Sequence, residues 1–135
     1  TDSPPTLLVC LNRNSRARSA FYEGGALCVN VLTSGHQDLS NHFASPNTMA
    51  ERFATGHWQT LATGAPVLQE AAATFDCQIS QIVEVGTHSV IFGVVQALVS
   101  HDMQKGLFIS IADTILFLVI RAEGCPTQGI ASLFM

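Results

Sequence analysis

The sequence predicts one mainly β domain spanning residues 1–135, an antiparallel barrel with short helical insertions. Three observations lead there. Short runs of apolar and β-branched residues recur along the chain, separated by turn-forming residues. The helix-like segments are short and gather between the second and third of these runs. No strand–helix–strand alternation repeats, which argues against a doubly wound parallel sheet. At 135 residues, the chain is long enough for one core that buries roughly two-thirds of its unfolded surface.

Each element has its own local reason. Leu7-Leu8-Val9-Cys10-Leu11 follows a proline pair and reads as a buried strand, stopped by the polar turn Asn12-Arg13-Asn14-Ser15. Residues 19–23 read as the start of a short helix, ended by Gly24-Gly25. Leu27-Cys28-Val29-Asn30-Val31-Leu32 is a second strand, broken by Thr33-Ser34-Gly35. Residues 38–44 form a helix with Leu39 and Phe43 four apart on one face, and residues 47–53 form another. Residues 57–66 read as irregular, with Trp58 as their anchor. Along residues 74–82, Phe75, Cys77 and Ile79 face one way, and the β-branched residues 89–99 form a long strand. Residues 106–111 and 114–120 are two further strands. Glu123-Gly124-Cys125-Pro126 is a turn, and residues 128–135 are a short final segment.

Composition narrows the class of partner. Apolar residues make up 47% of the chain and charged residues only 12%. A domain so poor in charge hides surface in a partner subunit or exposes apolar patches, and a symmetric homodimer is the expected outcome. The formal net charge is −4 and no basic run or basic–aromatic stripe occurs, which disfavours nucleic acid. The longest apolar stretch, residues 115–120, is too short to span a membrane. The opening Thr1-Asp2-Ser3-Pro4-Pro5 lacks the basic and apolar regions of a signal peptide. Cys10, Cys28, Cys77 and Cys125 are far apart, with no Cys-x-x-Cys. That disfavours a zinc site or a disulfide framework, and fits reduced thiols in the cytoplasm.

Three places carry candidate chemistry. Asn12-Arg13-Asn14-Ser15 ends a strand with amide, hydroxyl and backbone N–H groups suited to a polar ring edge, while Arg13 suits a phosphate. The same residues also suit an ordinary solvated turn. Asn30 interrupts an apolar strand, so its side chain needs partners, from a ligand or from a neighbouring strand. Gly86-Thr87-His88 opens the long strand with a histidine able to donate, or to act as an acid or base near neutral pH. A histidine at a strand end is also commonly a plain polar residue. No metal site is expected, because His36 and His42 are six apart with no acidic cluster beside them. No Gly-x-Ser-x-Gly elbow occurs either.

Read in order, these segments resemble the flavin reductase family with the split β-barrel fold, in particular the small reductase components of two-component flavin monooxygenases. Residues 2–12 resemble the family's Pro-Pro strand, and Asn12 with Ser15 its Asn-x-x-Ser turn. Residues 27–32 match its Cys-Val-Asn-Val-Leu strand. His42-Phe43-Ala44, Glu51-Arg52-Phe53 and Trp58 resemble its helical insertion. Gly86-Thr87-His88 followed by Gly93 resembles its Gly-Asp/Thr-His strand. The resemblance runs from Thr1 to about Ile109. In the family a strand and a Gly-x-Thr-Ala-Ser-Ser-like loop precede the Pro-Pro strand. Here residues 114–120, 123–124 and 128–132 look like that strand and loop moved to the C-terminus. Such a circular permutation or rearrangement would set the C-terminal strand beside residues 7–11.

The resemblance implies hydride transfer from NADH or NADPH to FMN or FAD, with reduced flavin passed to a partner monooxygenase. It implies that Asn12, Ser15, Cys28, Val29 and Asn30 line the flavin, joined by Gly129, Ala131 and Ser132 if the rearrangement holds. Phe43 would cover the site, Arg13 and Arg52 would meet phosphates, and His88 would position the nicotinamide. Two alternatives stand beside it: a flavin-binding barrel without turnover, and a ligand-free structural or dimerisation barrel.

Overall fold

The computed structural model describes residues 3–101, 119–120 and 130–134. The elements in chain order are β1 (Thr6–Asn12), β2 (Ala26–Val31), α1 (Gln37–Ala44), α2 (Met49–Phe53), β3 (Trp58–Gln59), β4 (Val67–Leu68), β5 (Ala73–Val85), β6 (His88–Ser100), β7 (Val119–Ile120) and β8 (Ile130–Phe134). A 3₁₀ turn, Arg16–Ala20, follows β1. Six strands form one curled sheet in the order β1-β6-β5-β2-β8-β7, and β3 pairs with β4 in a small ribbon.

The hairpin of β5 and β6 is the spine of the sheet. Each strand has 13 residues. Their turn is Gly86-Thr87, with Val85 opposite His88. Gly86 has a φ of +55°, in the region that favours glycine and that two-residue hairpin turns require. Register shifts at Asp76/Cys77 and Ile79/Gln81 bend β5, as bulges do, and curl the sheet. β1 pairs antiparallel with β6 and β2 with β5. A Cβ at Gly93 would come within 3.0 Å of Cys77 Cβ and 3.1 Å of Leu27 Cδ2, so glycine lets β6 approach the packed interior.

Alternation then divides the faces. Val9, Leu11, Leu27, Val29, Ile79 and Ile91 turn inward, with Phe21 closing one side of this core. The other face of β2 is also covered: Cys28 packs with Ala26, Ala65 and Val67. The helix expected over residues 19–23 is instead the 3₁₀ turn, begun earlier because the Ser15 side chain accepts from the Ala17 N–H. Residues 57–66, read as irregular, contribute the two-residue strand β3, and the Trp58 anchor packs on Phe43 and Phe53.

The C-terminal strand corrects the purely antiparallel expectation. β8 runs parallel to β2, pairing Leu27 with Ala131 and Cys28 with Ser132. Val119 and Ile120 pair with β8. They join the end of the sheet order opposite β1, whereas the rearrangement reading had set this segment beside residues 7–11. The expected strand at 106–111, the turn at 123–126, and residues 114–118 lie outside the described residues.

Polar groups hold the insertion against the sheet. Asn30 is fully buried; its Oδ1 accepts from Leu68 N–H (2.9 Å) and the Thr74 hydroxyl (3.2 Å), and its Nδ2 donates to Pro66 C=O (3.2 Å). Buried Asp76 accepts from the Thr63 N–H (2.8 Å) and the Thr63 hydroxyl. Thr48 and Glu51 form a capping box that starts α2.

Two outcomes follow from this packing. Asn30→Ala strands the Leu68 N–H and the Pro66 carbonyl, and lowers unfolding free energy in urea titrations by about 1–3 kcal/mol. The buried thiols make the second. Desolvation, with the Asp76 carboxylate adding to it, pushes Cys77 up to about 12 and Cys28 higher still. Unfolded thiols ionise near 9.0. Their contribution to stability is therefore full below that pH and is lost as pH rises above it. At neutral pH, Cys28 and Cys77 react with a thiol reagent only after unfolding, as peptide mass mapping will reveal.

Candidate functional site

β1 ends at Asn12 where β6 begins at His88, and the antiparallel register sets these two residues opposite each other. The polar turn after β1 and the hairpin turn before β6 therefore share one end of the sheet. Arg13 N–H donates to Thr87 C=O (2.9 Å), and Arg13 Nη1 donates to Gly86 C=O (3.2 Å). The turn itself is self-supporting. Asn12 Oδ1 accepts from Asn14 N–H (2.9 Å), and Asn12 C=O accepts from Ser15 N–H (2.9 Å). Ser15 Oγ accepts from Ala17 N–H (3.3 Å) and so starts the 3₁₀ turn. Across the gap, the Thr87 hydroxyl lies 2.9 Å from His88 Nδ1. Asn12, Arg13 and His88 are all exposed.

A charge cluster lies beneath this pair of turns. Glu84, opposite Ser89 on the hairpin, accepts from Arg18 Nη2 (2.6 Å) and the Ser89 hydroxyl (2.8 and 2.9 Å) and forms an ion pair with Arg13 Nε (3.1 Å). Arg18 also donates through Nε to Ser89 Oγ and through Nη1 to Phe21 C=O (2.8 Å). The hydrogen bonds from Arg18 and Ser89 hold the Glu84 carboxyl below its ordinary range. Two guanidinium groups share one carboxylate, so the cluster carries one positive charge in excess. Arg13 is its outer member: its side chain is 53% exposed against 25% for Arg18.

The sequence candidates thus separate. Asn12, Arg13, Ser15 and His88 come together. Cys28, Val29 and Asn30 do not join them, because all three are fully buried. Asn30 faces Thr74, at the far end of β5 from the hairpin turn and about 35 Å along an extended strand. Its partners are groups of β4, β5 and the segment before β4. Phe43 is buried in an aromatic cluster, 5.4 Å from Phe53 and 5.8 Å from Trp58 between ring centroids, in the core of the insertion. Arg52 is fully buried, donating to Ser45 C=O (2.6 Å) and Met49 Sδ (3.7 Å), and so braces the α1–α2 turn. Ala131 and Ser132 lie in β8 beside β2, and Gly129 is outside the described residues.

Sequence reasoning missed Arg18, Glu84 and Ser89. One signal was available: a two-residue turn at Gly86-Thr87 sets Glu84 directly across from Ser89. No local signal pointed to Arg18, which is 66 residues away from Glu84 in sequence. Chemically, the two turns offer amide, hydroxyl, imidazole and guanidinium groups in exposed positions. Such groups bind and orient a polar, anionic ligand.

Comparison with known proteins places the chain in a family. The flavin reductase like domain pattern matches residues 1–113. The FMN reductase (NADH) RutF of Enterobacter sp. strain 638 is 50% identical over 107 residues, covering 79% of this chain and 65% of that protein. The chain therefore spans slightly less than two thirds of that relative. A solved protein of Haemophilus somnus 129pt superposes with a TM-score of 0.72 at 47% identity, over 76% of this chain and 65% of the other. Nitrilotriacetate monooxygenase component B of Mycobacterium thermoresistibile superposes with a TM-score of 0.67 at 28% identity, over 78% and 57% respectively. With its strand order, its paired turns and these matches, the chain belongs to the flavin reductase like domain family.

Proposed function

We propose that this chain is an NADH-dependent flavin reductase that moves a hydride from NADH to FMN and releases reduced flavin to a partner monooxygenase. The observation that carries the reading is the meeting of the Asn12–Ser15 turn with the Gly86–His88 turn at one end of the sheet. The names of the relatives support FMN over FAD, and NADH over NADPH. A monooxygenase component among the structural neighbours supports a partner oxygenase. Cys10, Cys28 and Cys77 are free thiols, which suits the reducing cytoplasm.

The residues present fit a phosphate-bearing flavin. The Arg13 guanidinium is half-exposed and has five donors, of which Nε and Nη1 bind Glu84 and Gly86. Its remaining N–H groups suit a phosphate. The amide of Asn12 and the hydroxyl of Ser15 suit the polar edge of the ring. Bound flavin supplies the hydride acceptor and the nicotinamide the donor. His88 orients the nicotinamide from the start of β6. It need not act as a base, because hydride transfer removes no proton from that ring. Thr87, in contact with His88 Nδ1, limits the rotation of the imidazole.

The homodimer is part of the same proposal. Outward positions on β1, β6 and β5 form a stripe of Leu8, Cys10, Val90, Phe92, Val83 and Val85, with Leu8 59% and Val85 57% exposed. No charged side chain interrupts these positions, so a second copy of the same face meets it without like-charge repulsion. Asn12 and His88 lie at the rim of this stripe.

Two experiments test the reading. NADH oxidation is followed with and without FMN, in the wild type and in His88→Ala. FMN-dependent oxidation is expected. Flavin binding without NADH consumption would leave a binding barrel, and absence of FMN quenching would leave a ligand-free one. His88→Ala is expected to raise KM for NADH or lower kcat by about three- to tenfold while FMN affinity holds; unchanged NADH kinetics would refute its role. In sedimentation velocity the wild type is expected to run as a dimer and Leu8→Glu as a monomer. A wild-type monomer would remove the interface.

A further inference from the structure

We propose that Glu84 is a positioning residue of this site, holding the Arg13 guanidinium against the Gly86-Thr87 turn and thereby setting affinity for the phosphate of a bound nucleotide. The inference rests on the reading of the site as a flavin and nicotinamide site, and adds a residue that no motif marked.

Glu84 cannot meet an anion itself, because its charge would repel one. Its carboxylate instead ties four segments together. It takes Arg13 from the turn after β1 (3.1 Å), Arg18 from the 3₁₀ turn (2.6 Å) and Ser89 from β6 (2.8 and 2.9 Å), while sitting on β5 itself. The two arginines are not equivalent. Arg18 is anchored a second time on Phe21 C=O and a third on Ser89 Oγ. Arg13 has one further side-chain bond, to Gly86 C=O (3.2 Å), and is the more exposed of the two. Without the carboxylate, two guanidinium groups would repel each other and the outer one would swing into solvent. Arg13 binds phosphate best as a fixed fork, since its planar donors match phosphate geometry only when oriented.

Charge and position make opposite predictions. Removing a negative charge near a phosphate strengthens binding by electrostatics alone. Loss of a fixed Arg13 weakens it. Glu84→Gln, Arg13→Gln and the double variant are therefore compared by fluorescence-quenching titration with FMN, and with riboflavin as the phosphate-free control, alongside KM for NADH. Each single variant is expected to weaken FMN binding by about three- to tenfold, leave riboflavin binding unmoved, and leave the double variant no weaker than Arg13→Gln. If KM for NADH rises while FMN and riboflavin titrations hold, the phosphate is that of the nicotinamide nucleotide, and the role of Glu84 stands. Tighter binding by Glu84→Gln overturns the proposal. So does further weakening when Glu84→Gln is added to Arg13→Gln, because Glu84 would then not act through Arg13.

Amide hydrogen exchange separates this proposal from the functional reading. The Arg13 N–H bonded to Thr87 C=O is expected to lose protection in Glu84→Gln, and unchanged protection overturns the positioning role whatever the ligand. Wild-type protein that binds neither FMN nor NADH overturns the functional reading, and the nucleotide with it. If Glu84→Gln does not fold, Arg13→Gln carries the test, its half-exposed side chain lying outside the core. It must weaken FMN or NADH while sparing riboflavin, and a variant indistinguishable from wild type overturns the proposal.

Discussion

The register of the β5–β6 hairpin is the constraint on which the rest of this structure depends. Gly86-Thr87 joins the strands in two residues, and that brevity leaves one way to pair Val85 with His88 and Glu84 with Ser89. A slip of one residue would exchange the faces of a 13-residue strand, turning Ser89 and Ile91 out and His88 and Val90 in. Because β1 pairs with β6 and β2 with β5, both inherit the same alternation. The bend in β5 and the bare backbone of Gly93 then let this hairpin wrap the core that Leu27, Val29, Ile79 and Ile91 fill.

The hairpin also separates two kinds of polar residue. At its far end, buried polar side chains serve the fold. Asn30 and Asp76 replace missing backbone partners for residues 63–68, which cross the outer face of β2, and Arg52 braces the turn between α1 and α2. Burying such groups is tolerable because hydrogen bonds replace most of the lost hydration. At the turn end, polar residues remain open to solvent. Arg13, Asn12 and His88 stand at adjoining strand ends, backed by a carboxylate and a second arginine.

That division bears on chemistry. In a flavin reductase the reacting atoms belong to flavin and nicotinamide, so the protein has to hold two polar ligands in contact more than it has to supply acid or base. In the proposed function, exposed strand ends with a surplus positive charge would suit that purpose. The uncharged stripe running from Leu8 to Val85 beside them is the face proposed above for a second copy, which would cover apolar surface in a domain with only 12% charged residues.

The amino-acid sequence by itself determined most strands, the helical insertion and the family. Apolar runs, turn residues and ordered short motifs are local, and local chemistry reports them. It also marked Asn12, Arg13, Ser15 and His88, because polar residues at strand ends are visible in one dimension. Only the tertiary structure decided which of the marked residues lie together. Cys28, Val29, Asn30, Phe43 and Arg52 sit in motifs as well formed as Gly86-Thr87-His88, yet packing buries all five. Burial depends on what crosses over a residue, here the β4 segment over Asn30 and the paired helices over Phe43 and Arg52, and no spacing rule contains that information. The same reason hid Arg18, Glu84 and Ser89, which become one cluster only when the register of the hairpin sets Glu84 opposite Ser89 and the turn after β1 folds back over both.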